Sequence, residues 1–312
     1  MAMNRTFTLS NKKTIPAVGL GTWQAQPDQV RNAVLAALDI GYRHLDCAEV
    51  YANENEIGLA IEESAIPRQE LWITSKLWNN KHAPKNVEPA CRQTLKALRT
   101  HYLDLYLIHW PVAFKLDEKT GETAVDRDGN VIYDESVTLE DTWKALEKLV
   151  DAGLVRAIGV SNFTISKIQQ ILKIARIKPV MNQVELHPYL PQNELKEFCE
   201  RNEILLTAYA PFGSGKEPSL FEDQVLKKVA EKYKKTVPQV LVSWAVQRGT
   251  IVIPKSVNPE RLQANFQDFE MDKEDMDEIN NISKTTRHRF FATTEWKQWG
   301  CPDVFGERTL VN

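Results

Sequence analysis

Apolar positions follow two alternating patterns along the chain. Short apolar runs, typical of buried strands, are separated by longer stretches in which apolar residues recur every three or four positions, as on one face of a helix. Strands that alternate with helices indicate a parallel sheet with crossover helices. The predicted strands are residues 17–20, 43–45, 71–74, 103–108, 157–160, 180–184, 205–208 and 251–253.

The amphipathic stretches between these runs are predicted to be helices, and several begin at plausible capping residues. Eight strand–helix repeats in one chain are typical of a (β/α)8 TIM barrel of roughly 250 residues plus additions. We therefore expect a single α/β barrel domain over residues 1–312. The predicted helices include residues 28–40, 87–98, 139–152, 166–175 and 193–201.

Four further segments interrupt or precede the repeats. Residues 1–16 contain FTLSNKKTIP, which predicts an N-terminal β-hairpin. Residues 112–137 and 212–220 are long connections, and residues 283–312 form an extended C-terminal loop or tail. Long loops in compact domains are often lids or binding loops, so we expect these connections over the C-terminal face, where they shape a pocket.

Composition excludes several classes of partner. The chain has 312 residues, 43% of them hydrophobic, and a formal net charge of −3, which gives no reason to expect nucleic acid or an anionic membrane. No apolar run approaches the ~20 residues of a membrane span, and the N-terminus lacks the apolar core of a signal peptide. These observations predict a cytosolic protein with a small-molecule partner.

Cysteines and metal-binding patterns are uninformative. Cys47, Cys91, Cys199 and Cys301 are scattered without a CxxC pair, so we expect reduced thiols. No HExxH or HxH pattern occurs, and no metal site is predicted. The segments GLGTWQ and GSGKEPS begin like a Rossmann turn and a phosphate-binding loop, but both lack required residues, so neither nucleotide-binding motif is assigned.

Candidate chemistry lies at the ends of three consecutive predicted strands. Asp46 and Tyr51 follow the second strand, Lys76 follows the third, and His109 follows the fourth. In parallel barrels, the C-terminal ends of the strands meet on the face where catalysis takes place. We therefore expect a phenol, an amine, a carboxylate and an imidazole to form one proton-transfer site.

The roles of these four residues follow from their acidities. A phenol keeps its proton until about pH ~10, which suits the acid that protonates a carbonyl oxygen as it gains charge. Lys76 is predicted to lower the pKa of Tyr51, and Asp46 to keep Lys76 charged and oriented. A neutral His109 is expected to donate an N–H to the carbonyl oxygen. None of the four is a hydride source, so a cofactor is required.

The segments around these residues resemble the aldo-keto reductase family, in that family's order and spacing. They are GLGTW, GYRHLDCAEVYANENEIG, ITSKLW, LDLYLIHWP, GLVRAIGVSNF, NQVELHPYL and IPKSVNPERLQANF. The resemblance runs from near the start of the chain to about residue 265. It implies a TIM barrel whose hairpin covers the bottom, with Tyr51, His109, Lys76 and Asp46 as the catalytic residues.

A cofactor site is indicated near the last strand, where cations and hydrogen-bond donors suited to a phosphate are grouped. These are Lys255, Ser256, Asn258 and Arg261. The resemblance implies that Lys255 and Arg261 hold the 2′-phosphate of NADPH and that Asn265 contacts the adenine. Ala264 stands where the family often has Glu, which leaves use of NADH open.

The resemblance also implies contacts for the rest of the dinucleotide. Ser161, Asn162 and Gln183 pair with the carboxamide, and Tyr209 stacks on the nicotinamide. Thr22 and Asp46 lie where the family contacts the ribose, and Ser214 lies near the pyrophosphate.

The predicted substrate pocket is aromatic. Trp23, Trp78, Trp110 and Phe114 are expected to surround the carbonyl beside His109, because large rings exclude water and leave a few polar groups to orient the substrate. A narrow slot of this kind favours short aldehydes and open-chain sugars.

The resemblance therefore implies NADPH-dependent, reversible reduction of aldehydes and aldoses, such as glyceraldehyde or pentoses, by a monomer or homodimer. Two alternatives stay open. One is a ketoreductase for bulkier ketones, and the other is a cofactor-binding sensor subunit of a membrane channel, against which the intact set of four residues argues.

Overall fold

A barrel of eight parallel strands forms the centre of the computed structural model, which describes residues 5–300 and 302–306. Two further strands form an antiparallel hairpin before it. The hairpin strands are β1 (Thr6–Thr8) and β2 (Thr14–Pro16), and the barrel strands are β3 (Leu20–Gly21), β4 (His44–Asp46), β5 (Trp72–Leu77), β6 (Leu105–Ile108), β7 (Ile158–Ser161), β8 (Met181–Glu185), β9 (Leu205–Tyr209) and β10 (Ile251–Val252).

The sheet closes on itself. Strands β3 to β10 are neighbours in chain order, and parallel bridges join Val18 to Val252 and Gly21 to Lys255. At this seam the Gly19 N–H donates to the Val252 carbonyl at 2.9 Å. A Cβ atom on Gly21 would lie 2.7 Å from the carbonyl oxygen of Ile253, so the close approach requires glycine there. The predicted TIM barrel is confirmed.

Helices surround the barrel. The five helices named from the sequence are present with ends shifted by at most three residues, and the described part of the chain contains five further helices. The helices are α1 (Pro27–Ile40), α2 (Glu54–Glu63), α3 (Pro84–Ala97), α4 (Leu139–Asp151), α5 (Ile165–Leu172), α6 (Asn193–Arg201), α7 (Gln224–Tyr233), α8 (Val237–Gln247), α9 (Pro259–Asn265) and α10 (Lys273–Asn281).

Two hydrophobic clusters stabilise this arrangement. The larger one lies between the strands and the helices and includes Trp143 and Trp244, which are almost fully buried. The smaller one joins Leu9 and Ile15 of the hairpin region to residues of the barrel strands, such as Leu107. The hairpin therefore closes one end of the barrel. The residues predicted to form the proton-transfer site lie at the opposite end.

The long connections meet at that opposite end. Residues 112–137 form a small antiparallel structure with bridges from Phe114 to Tyr133 and from Val125 to Val131. Tyr133 donates its hydroxyl to the carbonyl of Trp299 in the tail at 2.6 Å. The loop that follows β6 is therefore fixed against the C-terminal segment.

The three cysteines that the structure describes form no disulfide. Cys47, Cys91 and Cys199 are free and buried, and Cys301 lies outside the described residues. Within the described part of the chain, no helix combines the length and apolar character needed to cross a bilayer. No group of three or more potential metal-ligating side chains occurs among residues 5–300 and 302–306.

Candidate active site

Four side chains predicted from the sequence meet at the C-terminal end of the barrel. Asp46 ends β4, Tyr51 lies in a 3₁₀ turn (Glu49–Tyr51) directly after it, and His109 follows β6. The sequence placed Lys76 after a strand ending at residue 74, but β5 continues to Leu77 and pairs Lys76 with Leu107. The sequence prediction ended this strand too early because Thr74, Ser75 and Lys76 are polar, and their side chains form buried hydrogen bonds instead of apolar contacts.

The Lys76 ammonium has three hydrogen bonds, one for each of its protons. It donates to Asp46 Oδ1 at 2.6 Å, to the Cys47 carbonyl at 2.9 Å and to the Tyr51 hydroxyl at 3.3 Å. The Tyr51 oxygen accepts this bond, so its own proton is free to point into the cleft. The site therefore presents a phenolic O–H held in place by a buried cation.

The electrostatics of this group differ in one respect from the sequence expectation. Burial raises the pKa of Tyr51 above its ordinary value, and the charge of Lys76 lowers it by less than burial raises it. The predicted lowering by Lys76 is present, but burial outweighs it, because the sequence reveals the cation but not the depth of burial. Burial lowers the pKa of Lys76, but Asp46 and Tyr51 together reverse this and raise it, so the amine stays charged.

His109 faces Tyr51 across the cleft. The two rings are 5.8 Å apart between centroids and nearly perpendicular, and Trp78 lies 5.2 Å from the imidazole on another side. Burial, together with the charge of Lys76, lowers the pKa of His109 well below its ordinary value. The imidazole is therefore neutral near pH 7 and is able to donate one N–H without carrying charge.

Glu54 is a buried carboxyl group behind the site, at the start of α2. It accepts a hydrogen bond from the Ser75 hydroxyl at 2.6 Å, next to Lys76 in sequence. Burial raises its pKa from 4.5 to about 7. The folded protein therefore binds a proton more tightly than the unfolded chain, and the stability that this proton gives is lost as the pH rises from about 4.5 through 7.

Glu54→Gln is expected to reduce this pH dependence, because an amide stays neutral. The difference in unfolding free energy between about pH 5 and pH 8 should shrink by up to about 3 kcal/mol, as each pKa unit corresponds to about 1.4 kcal/mol. Chemical denaturation at both pH values measures it, with Glu56→Gln on the same helix as the control. An unchanged pH dependence in Glu54→Gln would show that Glu54 is ionised in the folded protein.

A second polar network lies beside the first, at the ends of β7, β8 and β9. Asn162 donates to the His109 carbonyl at 3.0 Å and to Ser161 Oγ at 3.2 Å, and it accepts from the Tyr209 hydroxyl at 2.8 Å. Gln183 donates its amide N–H to Asp46 Oδ2 at 2.7 Å. These bonds hold the residues predicted to contact the carboxamide of the cofactor (Ser161, Asn162 and Gln183) in one arrangement. They also connect these residues to the Lys76–Asp46 pair.

Cationic residues lie at the other end of the same cleft. Lys255 and Arg261 are exposed, and neither forms an ion pair with any residue that the structure describes. Asn258 uses its side-chain oxygen to accept the Arg261 N–H at 3.0 Å, so it caps α9. Ser256 and Asn265 are buried in the cleft wall. The two side-chain cations are therefore available for an anionic ligand.

One continuous cleft of about 1280 Å³ joins these groups. It extends from the Tyr51–His109 pair past Ser214 to Lys255 and Arg261. Thr22 lies in its wall and donates its hydroxyl to the Asp46 carbonyl at 2.8 Å. An elongated cleft with fixed amide groups in the middle and free cations at the far end fits a dinucleotide, whose amide and phosphate ends need these groups.

Aromatic rings form the near end of the cleft. Trp78 and Trp110 line it, and Trp23 stands at its mouth with 40% of its surface exposed. Phe114 does not line the cleft, in contrast to the sequence prediction. It lies behind Trp299, with 4.9 Å between ring centroids, because the bridge to Tyr133 turns it inward.

Three aromatic residues of the tail complete this wall, although no specific role was predicted for them. Trp299 lies 5.9 Å from Trp78 and 5.6 Å from Trp110, and Trp296 lies 5.0 Å from Trp110. Phe291 also lines the cleft. The recurrence of aromatic residues in an otherwise polar tail was the available signal, but no strand or helix pattern placed them.

Known proteins resemble this chain over most of its length. Residues 17–284 match the model of the aldo/keto reductase family. An uncharacterized oxidoreductase of Schizosaccharomyces pombe is 49% identical over 303 residues, covering 94% of this chain and 92% of that protein. Aldo-keto reductase family 1 member A1-A of Danio rerio is 48% identical, covering 91% of each chain.

Solved structures agree with these matches. The aldose reductase of Schistosoma japonicum superposes with a TM-score of 0.89 at 43% identity, covering 97% of this chain and 99% of that one. The aldose reductase of Giardia lamblia superposes with a TM-score of 0.86 at 41% identity, covering 93% and 98%. The chain therefore belongs to the aldo/keto reductase family and is an NAD(P)H-dependent oxidoreductase that resembles aldose reductase.

Proposed function

We propose that the protein reduces small aldehydes and open-chain aldoses to alcohols, reversibly, with NADPH as the preferred hydride donor. One observation carries the proposal. The three protons of Lys76 are all donated, one of them to Tyr51, so the Tyr51 proton is directed into an aromatic pocket opposite a neutral His109. This arrangement suits protonation of a carbonyl oxygen while its carbon accepts a hydride.

The protein supplies orientation and the proton. His109 donates an N–H to the carbonyl oxygen and holds it near the Tyr51 hydroxyl. Tyr51 transfers its proton to that oxygen as negative charge develops, and the adjacent Lys76 ammonium stabilises the phenolate that remains. Trp78 and Trp110 exclude water from the reacting carbonyl.

NADPH, when bound, supplies the hydride from its nicotinamide ring. Ser161, Asn162 and Gln183 are the residues proposed to hold the carboxamide, and Tyr209 to stack on the ring. Lys255 and Arg261 are proposed to hold the 2′-phosphate, since both are cations without carboxylate partners among the described residues. Thr22, Ser214, Ser256 and Asn265 are proposed to contact the remaining ribose, pyrophosphate and adenine groups.

Arg261→Ala is expected to weaken NADPH binding by roughly ten- to hundredfold and NADH binding much less, because only NADPH has a 2′-phosphate to lose. Binding titrations of both cofactors measure this, with Arg201→Ala on α6 as the matched control for an exposed arginine. Equal weakening of NADPH and NADH would mean that Arg261 serves the adenine or the local backbone, and the proposed origin of the NADPH preference would be wrong.

The substrate class follows from the shape of the near end. Trp78, Trp110, Trp296 and Trp299 enclose it, and this leaves room for a narrow carbonyl compound. Initial rates with glyceraldehyde, xylose, an aromatic aldehyde and a bulky cyclic ketone test the assignment. We expect turnover of the aldehydes and little of the ketone. A faster rate with the ketone would assign the protein to bulky ketones instead.

A further inference from the structure

Glu185 is a fully buried acid that has no part in the proton transfer described above. It ends β8, two residues after Gln183, and its side chain has 0% exposure. Its carboxylate receives three N–H groups. Oε1 accepts from the Phe290 amide at 2.7 Å and from His187 Nε2 at 2.9 Å, and Oε2 accepts from the Phe291 amide at 3.0 Å.

The third donor, His187, is itself held in one state. Burial lowers the pKa of His187, and the neighbouring Glu185 opposes this by less, so the ring is neutral. Because its Nε2 faces a carboxylate, Nε2 carries the proton, and Nδ1 is buried without a hydrogen-bond partner. The imidazole therefore acts as a fixed donor that orients the Glu185 carboxylate toward the tail.

Two consecutive amides of the tail bind to the two oxygens of one carboxylate, which fixes the tail in a single register. Phe290 then turns away from the cleft and packs on the His187 ring, with 5.0 Å between centroids. Phe291 turns into the cleft, where its ring lies 5.4 Å from Trp23 and 5.8 Å from Tyr209. A slip by one residue would exchange the two rings and remove this wall of the pocket.

The loop after β9 adds a weaker contact from the solvent side. Lys216 donates to the Phe290 carbonyl at 2.8 Å, and its ammonium lies 4.5 Å from the centroid of the Phe291 ring. Lys216 is exposed, so its contribution is screened by water, whereas the bonds to Glu185 are not. The buried carboxylate is therefore a stronger anchor of this part of the tail than Lys216.

We propose that Glu185 is a positioning residue that determines substrate selectivity, because its carboxylate fixes the register of the tail and so places Phe291 in the wall of the carbonyl pocket. This inference rests on the proposed function for its substrates. Aldehydes large enough to reach Phe291 depend on the anchor, and glyceraldehyde, which is too small to need that wall, does not.

Glu185→Gln tests the anchor directly. The amide keeps the size of the side chain, but its NH₂ group faces N–H donors, so at least one tail amide loses its acceptor. We expect hydrogen exchange at the Phe290 and Phe291 amides to become about tenfold faster, while amides of β8 stay protected. We also expect kcat/KM for an aromatic aldehyde, relative to glyceraldehyde, to fall about tenfold. Glu197→Gln on α6 is the matched control.

Phe291→Ala separates a positioning role from general support of the fold. If Glu185 acts through Phe291, Glu185→Gln should reduce the preference for the aromatic aldehyde over glyceraldehyde much less in the Phe291→Ala background than in the wild-type background. Equal effects of Glu185→Gln in both backgrounds, or equal losses for all aldehydes, would overturn the proposal.

Hydrogen exchange of the wild-type protein keeps the inference testable if Glu185→Gln does not fold. The Phe290 and Phe291 amides should be protected like those of β8, and exchange as fast as in exposed parts of the tail would overturn the anchor. This readout does not depend on catalysis. A failure of the proposed carbonyl reduction therefore leaves the anchor measurable, and a failure of the anchor leaves carbonyl reduction intact.

Discussion

Replacement of Tyr51 by phenylalanine is expected to reduce kcat for glyceraldehyde by about 10²–10⁴-fold, the usual contribution of a positioned general acid. The ring stays in place, and only the hydroxyl that accepts from Lys76 at 3.3 Å is lost. Because the change removes the phenolic proton but leaves the shape of the cleft unchanged, the dissociation constant of NADPH should stay within about twofold of the wild-type value. Single-turnover rates at saturating cofactor and substrate measure the chemical step without product release.

Tyr102→Phe is the matched control for this experiment. Its hydroxyl is buried without a hydrogen-bond partner in the described structure, and its ring lies 4.0 Å from the Arg68 guanidinium, outside the cleft lining. This variant should turn over at the wild-type rate. A near-normal rate in Tyr51→Phe would show that another group donates the proton, and His109 would be the next candidate.

Replacement of Lys76 by methionine is expected to lower both stability and activity. Asp46 is 2% exposed, and without Lys76 its carboxylate has lost its buried ion-pair partner. Breaking a buried pair by removing one member typically costs about 3–5 kcal/mol of unfolding free energy. Chemical denaturation measures this loss.

The double variant Lys76→Met with Asp46→Asn provides the control, since it removes both charges. Its loss of unfolding free energy should be smaller than the sum of the two single losses. Additive losses would mean that the two side chains stabilise the fold independently.

Activity in Lys76→Met should change in its pH dependence as well as in its magnitude. The charge of Lys76 lowers the pKa of Tyr51 against the larger effect of burial, so its removal raises that pKa further. The phenol then becomes a weaker acid, and any alkaline limb of the rate profile that reports its ionisation should move to higher pH. An identical profile in folded Lys76→Met enzyme would contradict the electrostatic role of Lys76.

The residues that the sequence placed most accurately are those with a strand pattern before them. Asp46 and His109 each come at or after the end of an apolar run, and the rule that parallel strands end on one face predicts that they lie close together. Lys76 was placed on the correct face for the same reason, although its strand is longer than predicted. The barrel and the grouping of these side chains at one end of it therefore follow from the strand pattern of the sequence.

The tail could not be predicted in this way because its position depends on contacts distant in sequence. Trp299 reaches the pocket through the bond from Tyr133, and Phe291 through the carboxylate of Glu185. Phe114 was assigned to the pocket because it follows His109 closely, yet the bridge to Tyr133 places it one layer behind. No periodicity encodes pairings of this kind.

The pKa of Tyr51 could not be predicted for a related reason. The sequence showed that a lysine accompanies the phenol, but the sign of the shift depends on how strongly burial opposes that lysine. The depth of burial depends on the whole assembled site, to which the tail also contributes. The residues of the candidate site could therefore be predicted from the sequence, but the direction of the pKa shift of Tyr51 could not.

The transfer of hydrogen from NADPH to a carbonyl carbon tests the account most directly. The wild-type protein would be given glyceraldehyde and NADPH carrying deuterium at both C4 positions of the nicotinamide, and the glycerol product analysed by mass spectrometry. The account predicts one deuterium in each glycerol molecule, formed in proportion to the NADPH consumed. Consumption of NADPH without deuterium in glycerol, or no consumption with any aldehyde, would contradict it.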